Sequence, residues 1–140
     1  MYRRLAALDV GDKRIGVAVC DALRLTAQPL GVVARRSLAA DCAAIEQMLA
    51  SYDVEKVIAG LPLNPRGEEG EQADHVRHFC ERFVRETGRE VVYQDERLTT
   101  AEGERMLIES GMRRNRRRQI RDRIAAALIL QAWLDSHPPT

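Results

Sequence analysis

Aromatic side chains are scarce in this 140-residue chain, at 4% of the composition, so serial stacking of bases on rings is not its mode of binding. Cysteine occurs only at 20, 42 and 80, with no CxxC pair and no Cys/His ligand spacing. That excludes a disulfide framework or a zinc site and fits buried thiols in a reducing compartment. There is no run of about 18 apolar residues and no apolar N-terminal leader, so the sequence predicts a cytoplasmic protein without a membrane span. Lysine is nearly missing as well: it stands only at 13 and 56, leaving arginine to supply most of the 22 basic residues.

What is present is ordinary for a globular protein, with 45% hydrophobic and 31% charged residues, and the length suits one domain covering 1–140. The net charge of +1 conceals an asymmetry. Seven arginines lie between Arg113 and Arg123, while acids gather at Glu68, Glu69, Glu71 and Asp74. A local basic block of this kind matters more for phosphate binding than the whole-chain balance.

Short apolar runs at 5–10 and 15–20 are joined by Gly11-Asp12-Lys13-Arg14 and read as a hairpin. A third strand follows the turn-prone Gln28-Pro29, over 30–35. Helical spacing marks 39–52, a fourth strand 54–59 ends at Gly60-Leu61-Pro62, and 63–70 is a surface loop. The next helix, 71–86, turns Ala73, Val76, Phe79, Cys80 and Phe83 inward and stops at Gly88; strand 90–94 then runs into Asp95-Glu96-Arg97. Thr99 and Glu102 form a capping box for a helix to about 110. The last helix, 116–135, opens on arginines and becomes apolar nearly all round, which predicts burial on more than one side. Three strands in succession favour an antiparallel meander, and the later strand–helix–strand unit favours parallel pairing. The expected fold class is α/β, a mixed five-stranded sheet flanked by helices.

The carboxylates carry the chemistry. Asp9 ends the strand expected at the centre of the sheet, and it reads equally as a metal ligand or as a turn-opening Asp before Gly. Gly11 and Gly16 leave room for a phosphate or a backbone to come close, and Lys13 and Arg14 at the hairpin tip can meet phosphates or simply be solvated. Asp95 and Glu96 are neighbours on a strand and point to opposite faces, so they do not both aim at one ion. Asp122 sits among arginines but leads into the apolar part of its helix, sharing a face with Ala125, Ala126 and Ile129. Three such carboxylates suit hard cations of the Mg²⁺ or Mn²⁺ type. His75 and His78 have no companion suited to zinc and read as surface residues.

Taken together, Leu8-Asp9-Val10-Gly11-Asp12-Lys13-Arg14-Ile15-Gly16, Gly60-Leu61-Pro62, Asp95-Glu96-Arg97-Leu98-Thr99-Thr100, and Asp122 with Ala125-Ala126 and Ile129-Leu130-Gln131 resemble the YqgF/RuvX family across essentially the whole chain. The resemblance implies a ribonuclease H-like fold and a metal-dependent nuclease of structured nucleic acid, acting on Holliday junctions or on the 16S ribosomal RNA precursor. By position it makes Asp9, Glu96 and Asp122 the acidic triad, with Glu96 favoured over Asp95, holding Mg²⁺ or Mn²⁺ ions that activate a water for attack on phosphorus. Lys13, Arg14 and Arg97 would neutralise nearby phosphates. The block of Arg113, Arg114, Arg117, Arg118 and Arg121 would grip the backbone farther away. Junction resolution would need a homodimer. Two alternatives stand beside this: a non-catalytic ribosome-assembly or nucleic-acid-binding factor, and an actin-like nucleotide-binding protein, which 140 residues leave without a second lobe.

Overall fold

The structure is a computed structural model that describes residues 2–97, 111 and 113–139. Five strands form one sheet in the order β3-β2-β1-β4-β5. They are β1 (Arg4–Val10), β2 (Arg14–Cys20), β3 (Ala27–Ala34), β4 (Val54–Leu61) and β5 (Glu90–Asp95). The first three pair antiparallel, while β4 joins β1 and β5 joins β4 in parallel, as the succession of elements predicts. β1 is therefore the central strand.

Period-2 alternation sorts the strand residues onto two faces. Ala6 and Leu8, Ile15, Val17 and Val19, and Val57, Ala59 and Leu61 pack with helices α1 (Leu38–Leu49) and α2 (Glu71–Thr87). Leu5 and Ala7, Ala18 and Cys20, and Ile58 pack with helix α3 (Arg114–Ser136). The inward face of α2 is the expected set of Ala73, Val76, Phe79, Cys80 and Phe83, and Gly88 (φ 73°) closes it. α1 starts at Ser37, whose Oγ accepts from the Ala40 amide, and a single 3₁₀ turn extends it through Tyr52. All three cysteines are free and buried.

Two expectations change. β3 begins at Ala27 and runs through Pro29, where a turn had been expected. It is an edge strand with a register shift where Pro29 faces Ala18, a place where a missing N–H is tolerated. The final helix is also buried on one side only among the described residues, through Ala126, Ile129, Leu130 and Leu134. Ile124, Ala125, Leu128 and Trp133 are half-buried, because α3 crosses its face of the sheet while α1 and α2 share the other. Gln131 fixes that crossing. Its Oε1 accepts from the Ala27 amide and its Nε2 donates to the Leu25 carbonyl. The helix expected at 99–110 lies outside the described residues.

Candidate active site

Counting alternate residues up β1 from Leu5 through Ala7 puts Asp9 on the α3 face, just beyond the apolar packing. The same count up β5 from Val92, which packs on that face, brings Glu96 to it. Asp95 falls on the opposite side with Val91 and Tyr93. On α3, Asp122 precedes buried Ala126 by one turn. Asp9, Glu96 and Asp122 accordingly line one cavity of about 140 Å³, with Arg121, Ala125, Leu128 and Ile129 completing its wall. Burial separates the two neighbours as well: Glu96 is half-buried, whereas Asp95 is exposed and bound by Arg97.

Two glycines lie against the acids, and at one of them a side chain would collide. Gly16 pairs with Asp9 across the β1–β2 ladder, and a Cβ there would lie 3.5 Å from the Asp122 carbonyl oxygen. Gly60 is the tighter position. A Cβ on it would fall 2.6 Å from Glu96 Oε2 and 2.5 Å from Ile129 Cδ1, so no other residue leaves the carboxylate where it stands. The sequence reading had Gly60 only as a strand terminator, because its role depends on two side chains far along the chain.

The electrostatics fit a site short of positive charge. Burial, and behind it the charge of Asp122, raises the Asp9 carboxyl above its ordinary value. Burial, then Asp9 and Asp95, pushes Glu96 up to about 7. Nothing among the described residues offsets these effects at either carboxyl. Asp95 shifts the other way, downward, because Arg97 hydrogen-bonds it. The donor set is oxygen only, matching hard divalent cations. Among the described residues no three acidic, histidine or cysteine side chains stand close enough together to hold a metal ion as they are placed.

The basic residues divide. Lys13 and Arg14 line a second cavity, about 290 Å³, that shares Asp9 and Asp122 with the first. Their hairpin tip is held by Arg35, whose amide donates to the Lys13 carbonyl and whose Nη1 donates to that of Gly11. Gly11 serves the turn itself, its amide donating to the Arg14 carbonyl at 2.9 Å. Arg97 is otherwise engaged. Nε and Nη2 bind Asp95, and Nη1 reaches the carbonyls of Asn64 and Pro65, so it fastens the 63–70 loop beside Glu96 instead of standing free for phosphate. Arg113 and Arg114 are exposed at the start of α3, with Arg118 exposed and Arg117 half-buried a turn later, while Arg121 reaches the acidic cavity. His75 and His78 do line a basin, with Arg35 and Arg36, but Asp12 and Asp41 share it and balance the arginine charge.

A mixed sheet of this order, with a long helix across one face, is a ribonuclease H-like fold. The chain belongs to the RuvX family, whose model, described as Holliday junction resolvase, matches residues 3–136. It is 48% identical over 132 residues to a Moorella thermoacetica protein named "Putative pre-16S rRNA nuclease", covering 94% of each chain. A Myxococcus xanthus protein of the same name is 46% identical, over 97% of this chain and 90% of its own. Among solved structures, T. thermophilus RuvC in complex with Holliday junction substrate aligns with a TM-score of 0.61 at 17% identity, over 96% of this chain and 95% of that one. The fowlpox virus Holliday junction resolvase aligns at 0.54 and 15%, over 95% and 98%. At such identities the likeness is one of fold.

Proposed function

We propose that residues 1–140 act as a single nuclease domain that hydrolyses phosphodiester bonds in structured nucleic acid with Mg²⁺ or Mn²⁺ held by Asp9, Glu96 and Asp122. One observation carries the reading: three carboxylates from β1, the end of β5 and α3 line one cavity, next to a basic hairpin tip and a basic helix start. When bound, the cations supply an activated water and offset the charge that builds on the phosphate. Asp9, on the central strand, is the fixed point of the site. Glu96, raised to about 7, is half protonated near neutral pH, so holding a cation there would require it to release that proton.

Lys13 and Arg14, which line the cavity mouth, would orient the phosphate. The arginines of α3 meet the backbone farther along. Their arrangement is costly to the fold, since the first turn of α3 carries no acid and Arg113 offers no side-chain cap. Cations at a helix N-terminus oppose its dipole by about 0.3–1 kcal/mol each, and bound phosphates reverse that sign. The substrate is a branched DNA junction, the 16S rRNA precursor, or both, which places the work in the cytoplasm. A junction carries two strands to be cut, and paired incision takes two copies of this chain. Asp9→Asn and Asp122→Asn test the reading. Hydrolysis lost with nucleic-acid binding kept supports it; wild-type protein that binds but never cleaves with metal present makes the chain a non-catalytic assembly factor.

A further inference from the structure

Arg14 opens β2, at the base of the hairpin tip, and Asp122 lies 108 residues further on, in α3. Arg14 Nη2 nevertheless donates to Asp122 Oδ2 at 3.0 Å. Asp122 is the one site carboxylate that faces both cavities while held by a hairpin cation, whereas no cation among the described residues offsets Asp9 or Glu96. The pair is accessible: the Arg14 side chain is 55% exposed and that of Asp122 39%. An exposed ion pair of one arginine and one carboxylate contributes little and is readily exchanged. A divalent cation brings twice the charge and draws on the neighbouring carboxylates as well. The arrangement therefore suits a counterion that yields, and it is too weak for a permanent strut.

We propose that Arg14 is an exchangeable counterion for Asp122, neutralising it until a divalent cation loads and then released, beside Lys13, to a substrate phosphate. The inference rests on Asp122 being a metal ligand. It adds that metal loading and phosphate grip are linked through one guanidinium, which occupies the ligand until it is needed at the substrate. Arg14 is then a positioning residue for the metal and a contact for the substrate, and its removal moves the two properties in opposite directions.

Mn²⁺ titration of the nucleic-acid-free protein, read by the paramagnetic resonance of free Mn²⁺, tests this in wild type, Arg14→Ala, Arg14→Lys, Asp122→Asn and the Arg14→Ala/Asp122→Asn double variant. Arg14→Ala should bind Mn²⁺ about two- to fivefold more tightly, the factor an exposed pair can impose, and Arg14→Lys should stay near wild type. Asp122→Asn should bind more weakly, with no further change in the double variant. A purely structural Arg14 would instead give weaker binding in Arg14→Ala. Unchanged or weaker Mn²⁺ binding there, with Asp122→Asn still impaired, overturns the counterion role and leaves the metal site standing. No Mn²⁺ binding by any form overturns both. Should Arg14→Ala fail to fold, the guanidinium ¹⁵N signals of wild-type Arg14 decide: they move on Mg²⁺ addition toward their Asp122→Asn positions, and immobility with Mg²⁺ bound overturns the proposal.

Discussion

The two faces of the sheet are built to different ends. Under α1 and α2 lie Phe79, Phe83, Leu8, Ile15, Ile45 and Leu49, large and fully buried. Under α3 the strands present Leu5, Cys20 and Ile58 beside the smaller Ala7 and Ala18, and next to the acids they carry no side chain at all, at Gly16 and Gly60. At its upper end that face turns from apolar to acidic. Large side chains interlocking on one side give stability, and the two glycines on the other leave room beside Asp9, Glu96 and Asp122. Repulsion among acids is tolerable on the α3 face because the opposite face holds the sheet.

Substitutions on each face should separate these roles. Phe79→Ala should cost about 3–5 kcal/mol, read as a lower urea midpoint, while the fraction still folded binds Mn²⁺ normally. Should Phe79→Ala weaken metal binding in the folded fraction, the faces are not independent. Gly60→Ala should do the reverse, costing about 1–3 kcal/mol of stability but lowering Mn²⁺ affinity about tenfold, since its Cβ must displace Glu96 or Ile129.

Glu96 gives a contrast in pH. Its carboxyl is raised from an ordinary 4.5 to about 7, so the folded chain favours the protonated form. That contribution is complete below pH 4.5 and is lost as pH rises through about 7. Metal-free Glu96→Gln should therefore be more stable than wild type at pH 8, by about 1–2 kcal/mol once solvent access is discounted, and no more stable at pH 4.5. Denaturation at the two pH values in EDTA checks it, and equal differences at both would remove the electrostatic account. The smallest effect belongs to the arginines of α3. Arg118→Ala should reduce the slope of log affinity against log salt by ~0.7–0.9, without changing which sequences or structures are preferred.

Much of this was legible in the chain. The inward set of α2 follows from helical period alone, and the antiparallel and parallel pairing from strands met in the order β, β, β, then β-helix-β. Asp9 and Asp122 could be singled out because each leads into or out of apolar residues. Alternation separates Asp95 from Glu96, but it needs Val92 on the α3 face, which only the packing reveals. Three features depended on distant partners and left no local trace. Gly60 is small on account of Glu96 and Ile129. Arg97 is held by carbonyls of a loop more than thirty residues earlier. Pro29 sits inside a strand because that strand is at an edge. Among the described residues composition also overstated the burial of α3, since apolar residues all round its end do not say which neighbours it has.

The most direct measurement is cleavage of a four-way DNA junction, single-stranded DNA and precursor 16S rRNA side by side, with Mg²⁺, with Mn²⁺ and with EDTA, by wild type and Asp9→Asn. The account predicts metal-dependent cleavage of at least one structured substrate and a loss of at least about 100-fold in Asp9→Asn, since even outer-shell partners of a metal are worth about 10–100-fold. Cleavage that persists in EDTA, or that survives in Asp9→Asn, would contradict it.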